Sequence, residues 1–222
     1  SLIVGSVDVY KRQIYNYLQF ESFSLLLQTN YKRQRMNIFD IAKQNQEKAW
    51  QVIKNTNIIQ IWEDAGAKIN LVGSLRTGLL MKHRDIDFHI YSSPLNLTDS
   101  FQAMARLAEN PSIKRIECAN LLHTAEACIE WHAWYQNEEN ELWQMDMIHI
   151  REGSRYDGYF EKVAQRISEI MTDEIRETIL RLKYETPETE KIIGVEYYQA
   201  VIRDGVRAVS YTHLRAHETS LH

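Results

Sequence analysis

The sequence predicts an α+β fold in which a mixed β-sheet is flanked by helices, and three observations lead to this prediction. Apolar side chains at helical spacing open the patterned region, runs typical of strands fill its middle, and helical spacing returns after Gly153. The length of 222 residues and the apolar content of 44% suffice for a compact core. We therefore expect one folded unit with a central sheet.

The region before the sheet is predicted to be helical. Helical spacing predicts an amphipathic helix over Asn37–Asn55, with Asn37 as its N-cap, and a second short helix over Ile58–Ala65. A short strand is predicted over Lys68–Val72, and it leads through a Gly-Ser turn into a brief helix over Leu75–Met81. The predicted order is thus strand, tight turn and helix.

Two segments in the middle of the chain are predicted to be the important strands. Asp85–Tyr91 alternates between apolar and polar residues, so that Asp85, Asp87 and His89 share one face. Leu142–Ile150 is almost continuously apolar, which predicts a central strand buried on both faces and makes Asp146 conspicuous. The other predicted elements are a helix capped by Thr98 or Asp99 and ending near Glu109, strands over Ile113–Leu122 and Cys128–Tyr135, and helices over Tyr159–Met171, Asp173–Tyr184 with Thr172 as cap, and Val195–Val206.

The two ends of the chain do not share this patterning. The segments VDVYKRQ and SYTHLRAHETS resemble translated sequencing-adapter read-through, so we expect residues 1–35 to be a non-native or disordered leader and 208–222 an adapter-derived tail. Of the 26 basic and 30 acidic residues, six and three lie in these ends, which leaves 20 against 27 and a core charge near −7. An acidic core argues against a nucleic-acid groove, because phosphate backbones are bound mainly by Lys and Arg.

Cysteine content and hydropathy indicate the cellular location that is expected for the protein. Cys118 and Cys128 are the only cysteines and have no CxxC spacing, so we expect two free, buried thiols. No apolar run approaches the roughly 20 residues that cross a bilayer, and no secretion signal is recognisable at the start. We therefore expect a cytoplasmic protein that does not interact with membranes.

Three carboxylates carry the predicted chemistry. Asp85 and Asp87 stand at i and i+2 of a strand, about 6–7 Å apart on one face, where their oxygens can share a pair of Mg²⁺ ions. Asp146, from a separate strand, could complete the second ion's shell and accept the proton of an attacking hydroxyl. Gly73 lets the backbone approach a phosphate without a Cβ, and Ser74 adds a hydroxyl donor.

The run LVGSLRTGLLMKHRDIDFHI joins these residues in one pattern, in which Gly73-Ser74 is followed after ten residues by Asp85 and Asp87, each preceding an apolar residue. This pattern, with Asp146 in WQMDMIHI, resembles the signature of the DNA polymerase beta-like nucleotidyltransferase superfamily over about Ile58–Ile150. The resemblance implies a nucleotidyltransferase fold over 36–150 with a C-terminal helical extension over 151–207 in the same unit. It also implies an enzyme that transfers a nucleoside monophosphate from an NTP, with ATP as the first candidate, to a hydroxyl.

The resemblance assigns roles to individual residues. Asp85, Asp87 and Asp146 are the predicted catalytic residues and ligands of two Mg²⁺ ions, with Mn²⁺ as an alternative. The predicted nucleotide-binding residues are Gly73, Ser74 and Arg76, and Lys82 and Arg84 are weaker candidates for phosphate contacts.

Several other side chains have a structural interpretation beside a functional one. His89 could line the pocket, but hydrogen-bonded packing is the favoured role, and a structural role is favoured for His132 and His149. Sheet core is favoured over ring stacking for the aromatic residues Trp131, Trp134, Tyr135 and Trp143.

The acceptor is left open by the sequence. The acidic core and short length favour a small molecule that carries a hydroxyl. The alternatives are AMP transfer to a protein partner, as in toxin-antitoxin pairs, and a non-catalytic nucleotide-binding module, against which the presence of all three carboxylates counts.

Overall fold

The computed structural model describes residues 38–207. Residues 41–207 belong to one compact unit, which contains nearly all of the elements below. The predicted leader, the predicted adapter-derived tail and the predicted N-cap Asn37 lie outside the described residues.

The described part of the chain begins with two helices. Helix α1 covers 38–56, and α2 covers Ile58–Asp64, close to the predicted positions. Asn57, between the two helices, has a left-handed conformation with φ of 53°, so that the chain turns there. The helices bury Val52, Ile61 and Trp62 against the sheet core, as expected for amphipathic helices on one side of a sheet.

A mixed five-stranded sheet forms the centre of the described residues, as predicted. Its strands are β1 Lys68–Leu71, β2 Asp85–Ser92, β3 Ile113–Asn120, β4 Cys128–Gln136 and β5 Leu142–Arg151. Their order in the sheet is β1-β2-β5-β4-β3. Strands β2 and β5 are parallel, and the other neighbouring pairs are antiparallel.

The two faces of the sheet differ in polarity. On the core face, Ile86 and Phe88 of β2 lie beside Met145 and Met147 of β5, and all four are buried. The opposite, polar face carries the alternate residues of each strand. Because β5 alternates between buried and half-buried residues, the prediction that this strand is buried on both faces is wrong, although its central position is confirmed.

The remaining helices are α3 Gly73–Arg76, α4 Leu97–Ala108, α5 Tyr159–Ile170, α6 Asp173–Glu185 and α7 Gly194–Tyr198, the last followed by a π-helical turn over Gln199–Arg203. Thr172 caps α6 as predicted, since its hydroxyl accepts a hydrogen bond from the backbone N–H of Ile175. The predicted cap of α4 is wrong: the side chain of Asn96 accepts from the N–H of Thr98. Helix α3 is displaced toward its N-terminus relative to the prediction, and Gly78 follows it with φ of 71°.

Helix α6 is fastened to the loop between α3 and β2. Lys82 donates to the backbone carbonyl of Tyr184 at 3.0 Å and to that of Thr186. In the opposite direction, the buried Lys183 donates to the carbonyl of Leu79 at 3.0 Å. These contacts hold α6 against the same loop that leads into the strand of Asp85.

Two further sequence expectations can be compared with the fold. No helix among residues 38–207 combines the length and the apolar composition needed to cross a membrane. Both cysteines are free, as predicted, but only Cys128 is buried. Cys118 is exposed because β3 lies at the end of the sheet among the described strands.

Candidate active site

The structure brings the three predicted carboxylates together on the polar face. Asp87 of β2 lies directly opposite Asp146 of β5 in the parallel pair, and Asp85 precedes it on the same face. Burial, together with the negative charges of Asp85 and Asp146, raises the pKa of Asp87 to about 7. The charges of Asp85 and Asp146 act on Asp87 because the three carboxylates share one face of two adjacent strands.

Gly73 allows the carboxylate of Asp87 to take this position. A Cβ added at Gly73 would lie 1.9 Å from Oδ2 of Asp87, and the φ of Gly73 is +66°. The backbone N–H of the next residue, Ser74, hydrogen-bonds to Asp87 and lowers its pKa. The Gly-Ser turn therefore contacts the carboxylate itself, in addition to the phosphate contact predicted for it.

A buried lysine, which sequence reasoning missed, lies near the carboxylates. Burial lowers the pKa of Lys183 to about 8, whereas the charges of Asp85 and Asp87 act in the opposite direction. Lys183 also lowers the pKa of Asp87 in return. The only signal in the sequence was a lysine next to Leu182 in an amphipathic helix, which is common on surfaces, so the contact could not be predicted without the fold.

Tyr198, from α7, lies beside Lys183. Its ring centroid is 5.7 Å from Nζ of Lys183. Burial, with a smaller contribution from the charges of Asp87 and Asp85, raises the pKa of Tyr198 to about 12, although a hydrogen bond with Thr77 acts in the opposite direction. Helices α6 and α7 thus bring a cation and an aromatic ring to the carboxylates.

The donor set of the site can be compared with what a divalent cation requires. Within residues 38–207, no three His, Cys, Asp or Glu side chains are grouped as a metal site. However, Oδ1 of Asp85 is buried without a hydrogen-bond partner, and the pKa of Asp87 is raised to about 7 by burial and by its acidic neighbours. A hard cation such as Mg²⁺, which prefers carboxylate oxygens, would give Oδ1 of Asp85 a partner. Its positive charge would also offset the repulsion that raises the pKa of Asp87. The residues therefore fit a Mg²⁺ ion.

Asp146 is held by two side chains that the sequence did not identify. Nδ1 of His132 lies 2.6 Å from Oδ1 of Asp146, and Nε2 of Gln144 donates to the same oxygen at 2.7 Å. Neither bond uses Oδ2. His132 thus contacts a predicted catalytic carboxylate, and the structural role that the sequence favoured for it stays a prediction. Its position depends on the pairing of β4 with β5, which no local pattern in the sequence encodes.

The other histidines agree with the predictions. His149 is buried, and its ring contacts the hydroxyls of Ser92 at 2.7 Å and Ser100 at 3.1 Å. His89 is also buried and packs edge-on against Phe160, with ring centroids 4.9 Å apart. Both contacts correspond to the hydrogen-bonded or packed roles that the sequence favoured.

The predicted basic residues are distributed differently from expectation. Arg76 is exposed at the last residue of α3, and its phosphate contact stays a prediction. Lys82 donates a hydrogen bond to the carbonyl of Tyr184 at the end of α6, and Arg84 donates to Glu141 at 2.9 Å. Lys82 and Arg84 thus have partners within the protein, and their phosphate contacts, like that of Arg76, stay predictions.

The aromatic cluster separates into two parts. Trp131, Tyr135 and Trp143 are buried in the core, as predicted. Trp134 lies on the polar face instead, with the guanidinium of Arg115 over its ring at 4.3 Å from the centroid. The prediction of sheet core is therefore wrong for Trp134.

The arrangement of the fold corresponds to that of known nucleotidyltransferases. No family model matches the chain, and no curated protein matches its sequence. Its structure is similar to that of the non-canonical poly(A) polymerase complex GLD-2–GLD-3, with a TM-score of 0.55 and 8% identity over 76% of this chain and 57% of that one. It is similar to the Cid1 poly(U) polymerase bound to MgATP, with a TM-score of 0.56 and 12% identity over 81% of this chain and 58% of that one.

The similarity to these polymerases confirms the predicted resemblance at the level of the fold. The chain spans little more than half the length of these polymerase structures. Residues 38–207 thus adopt the α+β nucleotidyltransferase fold that the sequence predicted.

Proposed function

We propose that this protein is a metal-dependent nucleotidyltransferase, which transfers a nucleoside monophosphate from an NTP to a hydroxyl group. The observation that carries the proposal is the position of Asp87 directly opposite Asp146, with Asp85 on the same face. The fold adds support, because similar structures are named as poly(A) and poly(U) polymerases, and two of them contain MgATP or MgGTP.

Asp85, Asp87 and Asp146 are the residues that would hold Mg²⁺. When bound, Mg²⁺ neutralises charge on the triphosphate and lowers the pKa of the attacking hydroxyl. Asp146 accepts the proton of that hydroxyl, and its orientation is fixed by His132 and Gln144 through Oδ1, which leaves Oδ2 for the proton.

The nucleotide is held by groups on the other side of β2. Gly73 and Ser74 bring the backbone close to the phosphates, and Lys183 supplies a positive charge beside them. Arg76 remains a candidate for a further phosphate contact at the end of α3. We propose ATP as the first nucleotide to test.

Two acceptor classes deserve a direct test. A small hydroxyl-bearing molecule is the first candidate, because the core has an excess of acidic over basic residues, and few phosphates could be neutralised on its surface. An RNA 3′ end is the second, because structurally similar proteins include a cytoplasmic RNA terminal U-transferase, with a TM-score of 0.50 and 11% identity.

The experiment measures NTP-induced thermal stabilisation and pyrophosphate release with Mg²⁺. Acceptors comprise a panel of small hydroxyl compounds and an RNA oligomer with a free 3′ end, and co-expressed proteins are checked by mass spectrometry for added AMP. At a ligand concentration of 100 Kd, we expect a nucleotide to stabilise the protein by about 2.7 kcal/mol. Absence of both stabilisation and pyrophosphate with every NTP would refute the proposal, and stabilisation without turnover would favour a nucleotide-binding module.

Substitutions test the assignment of the site. We expect Asp85→Asn and Asp87→Asn to abolish turnover and metal-dependent nucleotide binding while the fold persists, because these side chains repel each other without metal. Asp64→Asn is the matched control, since Asp64 is an exposed carboxylate paired with Arg106 at 2.9 Å, and it should retain activity. Near wild-type turnover of either site variant would show that the carboxylates have been assigned wrongly.

A further inference from the structure

The polar face of the sheet continues beyond Asp146 across strands β4 and β3. In one row of paired residues, Asp146 is followed by His132 and then by Glu117. In the adjacent row, Trp134 of β4 is followed by Arg115 of β3. Paired residues in neighbouring strands project to the same face, so this surface is continuous with the candidate active site.

The side chains of this surface lie close to one another. The guanidinium carbon of Arg115 lies 4.3 Å from the ring centroid of Trp134. The ring of His132 lies 6.2 Å from that of Trp134 at an interplanar angle of 42°. The side chain of Arg115 is 59% exposed and forms an ion pair with Glu117. We call His132, Trp134 and Arg115 the β4–β3 platform.

The platform lies on the β4 side of Asp146, away from β2. With strands about 4.8 Å apart and residues about 3.4 Å apart along them, the Cα of Trp134 is about 8 Å and that of Arg115 about 12 Å from the Cα of Asp146. Lys183 and Gly73, which belong to the proposed nucleotide side, act on Asp85 and Asp87 of β2. Asp146 therefore separates the proposed nucleotide side from the platform.

We propose that the β4–β3 platform binds the acceptor and selects molecules that carry a flat aromatic or heteroaromatic ring near the reacting hydroxyl. This inference rests on the proposed function. Indole and guanidinium groups stack on such rings, largely independently of ring substituents. The ring of a free nucleoside and the terminal base of an RNA offer the same chemistry.

The charge of the platform favours ring stacking over phosphate binding. Arg115 is its permanently cationic member, and the guanidinium is already paired with the carboxylate of Glu117. A paired guanidinium keeps its flat face for stacking, whereas fewer of its N–H groups remain for an anion. Recognition should therefore depend on the ring of the acceptor and only weakly on salt concentration.

The experiment measures equilibrium binding of adenosine and of hexa-adenylate RNA with a free 3′ end, to the full chain with Mg²⁺ and a saturating non-hydrolysable ATP analogue. Sorbitol serves as a hydroxyl compound without an aromatic ring. We expect Trp134→Leu to weaken binding of at least one ring-bearing probe by about tenfold or more, and Arg115→Gln, at an exposed position, to weaken it severalfold. Trp50→Leu is the matched control, because Trp50 is 51% exposed on α1.

The outcomes separate the proposals. Loss of adenosine binding in Trp134→Leu identifies a small-molecule acceptor, and loss of RNA binding alone identifies an RNA end; both results support the platform. The platform proposal fails, and the proposed function stands, in two cases in which the analogue binds with Mg²⁺. In one, both platform variants bind the probes like wild type; in the other, wild type binds neither probe. If the analogue does not bind, the proposed function fails and takes this inference with it.

Discussion

Asp87 can occupy its position because Gly73 has no side chain. Its carboxylate fills the space where the Cβ of any other residue would lie, 1.9 Å from Oδ2. The positive φ of Gly73 adds a conformational reason for glycine, since L-residues rarely adopt +66°. Steric exclusion and backbone conformation thus favour glycine at the same residue of the site.

We expect Gly73→Ala to abolish metal-dependent nucleotide binding and turnover, because the new methyl group displaces the carboxylate of Asp87. Gly66→Ala is the control, since Gly66 has φ of +77° but nothing within 4 Å of an added Cβ. Both variants should lose roughly 1–2 kcal/mol of stability from backbone strain, as measured by denaturant unfolding, and Gly73→Ala should lose more because its methyl group also clashes with Asp87. Equal activity of the two variants would contradict a specific role for Gly73.

At this scale, the sequence predicts residues that carry their own local pattern. Asp85 and Asp87 follow from alternation within one strand, and Asp146 follows from a carboxylate in an apolar run. His132 and Lys183 could not be predicted in the same way. Their roles depend on the register of β4 against β5 and on the packing of α6, both of which are fixed by tertiary contacts.

Helix α6 and the loop before β2 act as one element. Lys82 and Lys183 fasten the helix to the loop in opposite directions, through the carbonyls of Tyr184 and Leu79. Only Lys183 also acts on the carboxylates. The two lysines therefore allow the structural and the electrostatic contributions of α6 to be separated.

We expect Lys183→Met to weaken NTP affinity by about tenfold or more, because a charge-assisted contact contributes about 1.5–3 kcal/mol. Lys82→Met should lower the melting temperature by a few degrees while leaving NTP affinity close to wild type. Isothermal titration with a non-hydrolysable analogue measures the affinities, and thermal unfolding measures the stabilities. If both variants lose affinity equally, α6 contributes through its position alone.

The elements themselves were predicted with uneven success for physical reasons. Strand β2 and helix α6 were placed closely, since one has clear alternation and the other has both a cap and helical spacing. The predicted position of helix α3 is wrong because its Gly-Ser start has low helix propensity and Gly78, with positive φ, interrupts the apolar pattern on which the prediction is based. The last helix ends in a π-helical turn, which local spacing does not reveal.

For the molecule as a whole, one face of the sheet packs in the core and stabilises the fold, whereas the other face carries the candidate active site. Its core face is apolar, whereas its polar face gathers carboxylates whose repulsion works against folding when no cation is present. The pKa of Asp87 is raised from 3.8 to about 7. Between about pH 4 and 7, Asp87 therefore keeps its proton in the folded, metal-free protein but has lost it in the unfolded chain. The contribution of Asp87 to the free energy of unfolding consequently falls as the pH rises through this range.

We expect Asp87→Asn to make the fall of stability with rising pH less steep than in wild type. In EDTA, the melting temperature of the variant relative to wild type should rise between pH 4.5 and 7 by at least about 3 °C, the equivalent of about 1 kcal/mol. His149, whose pKa burial lowers to about 4, changes stability in the opposite direction but equally in both proteins. Adding Mg²⁺ at pH 7 should stabilise wild type more than the variant, and parallel pH profiles would rule out the carboxylate cluster as the cause.

The contrast between the two cysteines makes the protein suitable for single-site labelling. Cys118 is exposed on β3, whereas Cys128 is buried, and the sequence contains no other thiol. Burial of part of the side chain raises the pKa of the Cys118 thiol, so coupling of a maleimide fluorophore will be faster at mildly alkaline pH. Because Cys118 pairs with the core residue Trp131, the dye would lie on the face of β3 opposite Arg115, where a change in its emission would report unfolding of this strand without covering the β4–β3 platform.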